Sequence, residues 1–142
     1  MSVSPRTAPG KSPDYHDLDP LQFQDLCRDV WQEEPEFDDV EVYGTQGQAQ
    51  LGIDLLAIGK DHKPLAAGQC KRVHPDSFDA KLIKDAVTEF LKNRKHWSTR
   101  GVRKFVLFAA SSASPTQIQE EKIRQTRRLE KHGFEFERVR LF

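Results

Sequence analysis

The sequence predicts an α/β domain: one mixed sheet with helices on both faces. Two observations carry this. Apolar residues recur at helical spacing, then in strand-like runs, and the two patterns go on alternating to the end of the chain. The run Phe105-Val106-Leu107-Phe108-Ala109 is continuously apolar, as in a central strand covered on both faces. The chain has 142 residues, 37% hydrophobic and 31% charged, and no internal repeat. That length suits a single domain whose core needs no disulfide or metal staple.

Residues 1 to 18 are expected to be a flexible tail, because Met1 to Tyr15 is rich in Ser, Pro, Thr and Gly without periodicity. The domain is expected over 19 to 142. Asp19 reads as an N-cap, Pro20 as the first helical residue and Gln22 as the capping-box partner. Phe23, Leu26, Cys27, Val30 and Trp31 then mark the buried face, and Pro35 ends the helix. Phe37 to Tyr43 alternates as a half-buried strand, and a polar loop spans Gly44 to Gln50. Leu51 to Ile58 and Leu65 to Lys71 read as a hairpin turning at residues 60 to 64. His74-Pro75-Asp76 opens a second helix with Phe78, Leu82, Ile83, Ala86, Val87, Phe90 and Leu91 on one stripe. Lys104 to Ala110 is the apolar strand. Ser114-Pro115-Thr116-Gln117 starts a surface helix with a thin stripe (Ile118, Ile123, Leu129) that stops at Gly133. Phe134 to Leu141 is the last strand. The order is αβββαβαβ, and the late strand–helix–strand unit should be a parallel crossover.

Composition excludes several classes. No apolar run approaches the ~18 residues that span a bilayer, and nothing reads as a secretory signal. A cytoplasmic protein with two reduced thiols, Cys27 and Cys70, is expected, since neither has a partner at zinc-ligand spacing. Formal net charge is zero, yet its distribution is uneven. Asp14 to Glu41 holds eleven acidic residues against one basic, and Lys71 to Lys104 ten basic against four acidic. The basic segment suits either a local phosphate-binding face or the solvated side of a helix carrying Lys81, Lys84, Lys92, Arg94 and Lys95. Trp31 and Trp97 read as core or interface residues.

Asp54 interrupts an apolar strand, and carboxylates are rarely buried without a partner. Gln69 and Lys71 are two apart on the returning strand, so they share a face that the hairpin brings beside Asp54. An acid, an amide oxygen and an ammonium suit a hard oxygen site for Mg²⁺ or Mn²⁺, with Lys71 handling water or phosphate charge. The same three residues also suit an Asp54–Lys71 ion pair with Gln69 as a hydrogen-bonding partner.

Asp54 followed by Gln69-x-Lys71 on the next strand, between two helices, resembles the PD-(D/E)xK nuclease superfamily, closest to its Mrr-like restriction endonuclease branch. Phe23-Gln24-Asp25-Leu26, Gly52-Ile53-Asp54, Gly68-Gln69-Cys70-Lys71-Arg72, the Phe105 to Ser112 segment and Gly133-Phe134 are similar to that branch in order and spacing. The likeness covers about residues 19 to 141. It implies a restriction-endonuclease-like fold and a Mg²⁺-dependent DNA endonuclease. Asp54 would be the principal metal ligand, Gln69 would fill the second acidic position, Cys70 would offer its backbone carbonyl, and Lys71 would be the catalytic lysine. Gln24 stands where many relatives carry Glu, as a possible accessory residue, with Asp25 facing solvent. Glutamine at both 24 and 69 leaves one formal negative charge, implying modest metal affinity and arguing against two metals.

Lys81, Lys84, Arg72 and His74 are the candidate DNA contacts. His74 also reads as a turn residue, and Arg72 should face away from Lys71. The resemblance further implies fusion to a sensor or regulatory domain in a restriction or anti-phage system, and self-association for double-strand cutting. A catalytically inactive nucleic-acid-binding module and a Holliday junction resolvase are the alternatives.

Overall fold

A computed structural model describes residues 18–44, 50–72, 79–109 and 116–141. Among them run nine elements: α1 (Pro20–Trp31), β1 (Phe37–Val42), β2 (Leu55–Gly59), β3 (Pro64–Lys71), α2 (Ala80–Leu91), α3 (Arg94–Arg100), β4 (Lys104–Ala109), α4 (Thr116–Glu130) and β5 (Glu135–Arg140). The five strands form one sheet in the order β1-β2-β3-β4-β5. The β1–β2 and β2–β3 pairs are antiparallel, and β3–β4 and β4–β5 are parallel. The α/β class, the mixed sheet and the parallel β4–α4–β5 crossover are as expected from the sequence.

The apolar run of β4 divides the core. Val106 and Phe108 point to one face, packed with Phe23, Cys27 and Trp31 of α1. Phe105, Leu107 and Ala109 point to the other, packed with Ile83, Val87 and Phe90 of α2, Trp97 of α3 and Leu129 of α4. A strand segment buried between two layers must be apolar at every position, and Phe105 to Ala109 is, after the half-buried Lys104. It lies between β3 and the edge strand β5, so β3 is the middle strand.

α1 begins as its sequence dictates. The Asp19 carboxylate accepts from the Gln22 N–H at 2.8 Å, and the Gln22 amide oxygen accepts from the Asp19 N–H at 3.1 Å. Its buried face is rotated from the expected stripe: Gln24 is buried and Val30 is 39% exposed. α1 rests on the apolar sheet through Phe23, Cys27 and Trp31, while Gln24 in its first turns is buried over a hollow described below.

Other expectations need correction. Leu51 to Ile58 is not one strand. The chain turns through Leu51 and Gly52, both at positive φ (55° and 81°), and β2 starts at Leu55. Asp54 therefore stands just before β2 rather than within it. α2 begins at Ala80, capped by the Asp79 carboxylate on the Leu82 N–H. The expected His74-Pro75-Asp76 start and Phe78 lie outside the described residues, as do residues 1 to 17, Ser111, Ser112, Ser114 and Pro115. α3 was not expected at all. It carries one buried residue, Trp97, too little apolar signal for a periodicity to show. On α4, Ile123 is 52% exposed, while Glu121 and Gln125 are buried in its place.

Candidate active site

At the C-terminal end of β3, a cavity of about 220 Å³ opens between the sheet and α1. It is lined by Pro20, Phe23 and Gln24 of α1, Asp54, and Cys70, Lys71 and Arg72. The fold brings these together for local reasons. Gly52 turns the chain where a Cβ atom would lie 2.6 Å from the Glu89 carbonyl oxygen, so only glycine lets the segment rest on α2. Gly68 plays a similar part on the other face, where a Cβ would meet the Trp31 ring at 2.9 Å. With those two approaches made, Asp54 N–H donates to the Gly68 oxygen at 2.8 Å, and the Asp54 oxygen accepts from Tyr43 N–H at 2.7 Å. The backbone of Asp54 is fixed on both sides.

Its side chain then acts as a piece of the sheet. Oδ2 accepts the Cys70 N–H at 2.8 Å, the position a ladder carbonyl would otherwise take. Asp54 is only 7% exposed. Burial pushes its carboxyl above the ordinary carboxylate value, and the Cys70 hydrogen bond and the Lys71 ammonium offset that only in part. This is an underpaid carboxylate: it holds one backbone donor and one nearby cation, and has acceptor capacity left over.

Gln69 sits differently from the sequence reading. It is 2% exposed and is not among the residues lining the cavity. Its amide nitrogen donates to the Gly52 oxygen at 3.1 Å, tying β3 to the turn before Asp54. Its Oε1 is buried without a hydrogen-bond partner among the described residues. Gln24 does reach the cavity, from a position where it is 5% exposed. Asp25, beside it, is exposed.

Arg72 lines the cavity together with Lys71, contrary to the expectation that it faces away. β3 ends at Lys71, so strand alternation no longer governs the next side chain. The Cys70 thiol lies against that of Cys27, and this contact together with burial holds it well above the usual thiol range. Both cysteines are free thiols. Lys81 and Lys84 are exposed on the first turns of α2, and Lys81 is bound to Asp85 at 2.7 Å. His74 lies outside the described residues. Sequence reasoning missed Pro20 and Phe23 as walls of the cavity. The capping box was the signal, because it fixes where α1 starts and so which side chains overhang the sheet end.

The donor set decides what the cavity can hold. Asp54, the Cys70 carbonyl and the Gln24 amide are hard oxygen donors on residues of its lining, whereas Gln69 Oε1, buried without a partner among the described residues, belongs to a residue off that lining. These fit a hard divalent cation and not a soft one. A single carboxylate makes the fit a weak one, and among the described residues no group of three or more His, Cys, Asp or Glu converges.

No protein-family model, no curated protein and no solved structure matches this chain. Among the described residues no helix is long and apolar enough to cross a membrane.

Proposed function

We propose that the chain is a divalent-metal-dependent DNA endonuclease domain with the restriction-endonuclease-like fold, and that the cavity at the end of β3 is its active site. One observation carries the reading. Asp54, buried and held by the Cys70 N–H, shares a small cavity with Lys71 and Gln24 at the edge of a basic segment. A buried carboxylate next to a lysine in a cleft is a candidate functional site.

Asp54 and the Cys70 carbonyl would hold Mg²⁺ or Mn²⁺, with the Gln24 amide oxygen as the further hard donor on the lining. A bound ion would supply Lewis acidity towards a phosphate and a more acidic water. The chain's own residues do the rest. The Lys71 ammonium neutralises charge gathering on the scissile phosphate and can exchange a proton with water. Gln24 donates or accepts a hydrogen bond from the α1 wall and orients what lies in the cavity. Phe23 and Pro20 shield it from bulk water. Arg72, Lys81 and Lys84 contact the DNA backbone on either side, without reading sequence. The domain works in the cytoplasm, as a homo-oligomer or fused to a regulatory domain.

The test is cleavage of supercoiled plasmid with Mg²⁺, Mn²⁺ or EDTA. Nicked or linear product should form with either ion and vanish with EDTA. Undiminished cleavage by both Asp54→Ala and Lys71→Ala would overturn the assignment. A second reading, a DNA-binding module without catalysis, is favoured by the lone carboxylate. It predicts duplex binding in both Mg²⁺ and EDTA with no product. Preferential cutting of four-way junctions would instead mark a resolvase.

A further inference from the structure

Among the described residues there is a hollow larger than the one beside Asp54. A second, open hollow of about 420 Å³ lies between the end of α2, α3 and the turn after α4. It is lined by Lys92, Arg94, Lys95, Ser98, His132 and Phe134. α3 leads into the start of β4, and Phe134 precedes β5, so this hollow sits at the N-terminal ends of those strands. The Asp54 cavity sits at the C-terminal end of β3. With a strand rise of about 3.3 Å per residue, the two are roughly 20 Å apart.

Its chemistry is one-sided. Among the described residues every titratable side chain on its wall is basic, and no carboxylate lines it. Lys92 has a carboxylate partner, Glu89 at 3.1 Å, on the exposed side of α2. Arg94 places one guanidinium nitrogen on the Leu91 carbonyl oxygen at 2.9 Å, which holds the group in place and leaves its other donors. The walls are fixed. The turn carrying His132 is held by N–H bonds from His132 and Phe134 to the Leu129 oxygen, and the Phe134 ring packs edge-on against Phe90 at 4.9 Å. The α3 wall is pinned from beneath, where the buried Trp97 donates its Nε1–H to the Leu51 oxygen at 2.9 Å. Phe134 is the single apolar residue on the lining, and it is 2% exposed, so the apolar part of the wall comes largely from the stems of the basic side chains.

We infer that this hollow is an anion-binding site for the phosphates of an oligophosphate-bearing ligand, separate from the Asp54 cavity. Clustered cations on fixed walls recognise spread phosphate charge, which no single lysine does. The volume is that of a site for a small molecule or for a stretch of backbone phosphates. The inference does not depend on the nuclease reading.

Calorimetric titration of the full chain with inorganic tripolyphosphate tests it. The expected Kd is on the order of 0.1 mM. Lys92→Glu together with Lys95→Glu should weaken binding about tenfold or more. Lys60→Glu together with Lys122→Glu, an equal charge change at exposed positions away from the hollow, should change it less than about twofold. Both pairs are on the surface, and matching melts will show that each variant is folded. A short DNA duplex, titrated alone and in competition, separates the sources. A duplex that displaces tripolyphosphate and loses affinity in the α2–α3 double variant identifies the phosphates as nucleic-acid backbone. A duplex indifferent to that variant identifies a free oligophosphate. Absence of tripolyphosphate binding, or equal weakening by both double variants, would overturn the site.

Discussion

Two carboxylates in this molecule are equally shielded from solvent, one deep and one shallow, and are oppositely treated. Asp54 and Glu121 are each 7% exposed. Glu121 lies on α4 at its packing face with α2, where its Oε1 accepts from Arg124 at 2.7 Å and its Oε2 from Gln125 at 2.6 Å. Gln125 in turn accepts from Arg128, which also donates to the Thr88 hydroxyl of α2. Burial pushes the Glu121 carboxyl up, but the Arg124 and Gln125 hydrogen bonds outweigh it and hold it below its ordinary value. At Asp54 the balance falls the other way: burial wins over the Cys70 N–H and Lys71. A carboxylate whose acceptors are filled stabilises the fold. One left with spare capacity in a cavity costs stability and is available to a ligand.

The largest expected effect separates the two in activity. If the Asp54 cavity is the active site, Asp54→Asn and Lys71→Ala each lower plasmid cleavage about 100-fold or more, while Glu121→Gln leaves it within about twofold. An equal loss in all three would dissolve the distinction. Next comes Gly52→Ala, which forces a Cβ onto the Glu89 carbonyl at a positive φ. It should destabilise by about 2–4 kcal/mol and reduce cleavage as well, because Asp54 follows two residues later. Urea melts and the plasmid assay read both quantities. Glu121→Ala should cost about 1–3 kcal/mol in the same melts, since Gln125 and Arg124 lose their acceptor.

The smallest effect is the most discriminating, and it has a sign. Asp54's folded pKa is raised, so between the ordinary carboxylate value and the raised one the folded chain keeps a proton that the unfolded chain has released. Stability contributed at this residue therefore falls as pH rises through that window. Asp54→Asn should then melt a few degrees higher than the natural chain near neutral pH, with the gap closing in acid. Glu121's folded pKa is lowered, so its contribution is present above the ordinary glutamate value and fades as pH falls through the folded one. The gap for Glu121→Gln should run the opposite way: less stable than the natural chain near neutral pH and converging with it in acid. Calorimetric melts across that pH range measure both.

Much of the scaffold was legible because its signals are local. The Asp19-Pro20-x-Gln22 box, the unbroken apolar β4 and the stop at Gly133 each need only near neighbours, and each is found in place. The errors arose where burial depends on what lies opposite. Val30 and Ile123 are apolar yet exposed, because no sheet or helix among the described residues covers them. Gln24, Glu121 and Gln125 are polar yet buried, because a cavity or a polar network receives them. α3 was invisible because its one buried residue, Trp97, docks on Leu51, 46 residues earlier.

For the site, the spacing Asp54…Gln69-x-Lys71 was readable as strands that must lie side by side. It could not say that the three side chains divide their work. Asp54 and Lys71 line the cavity, while Gln69 turns its nitrogen to Gly52 beneath it.

From the chain alone came the α/β class, most of the helices and strands, and the residue types able to carry chemistry, since propensity, capping and periodicity act over a few residues. Only the tertiary structure decided which buried polar groups are satisfied and where the two hollows open. Those depend on the closeness of approach of distant segments, such as Gly52 on α2 and Gly68 under Trp31, which no local pattern records.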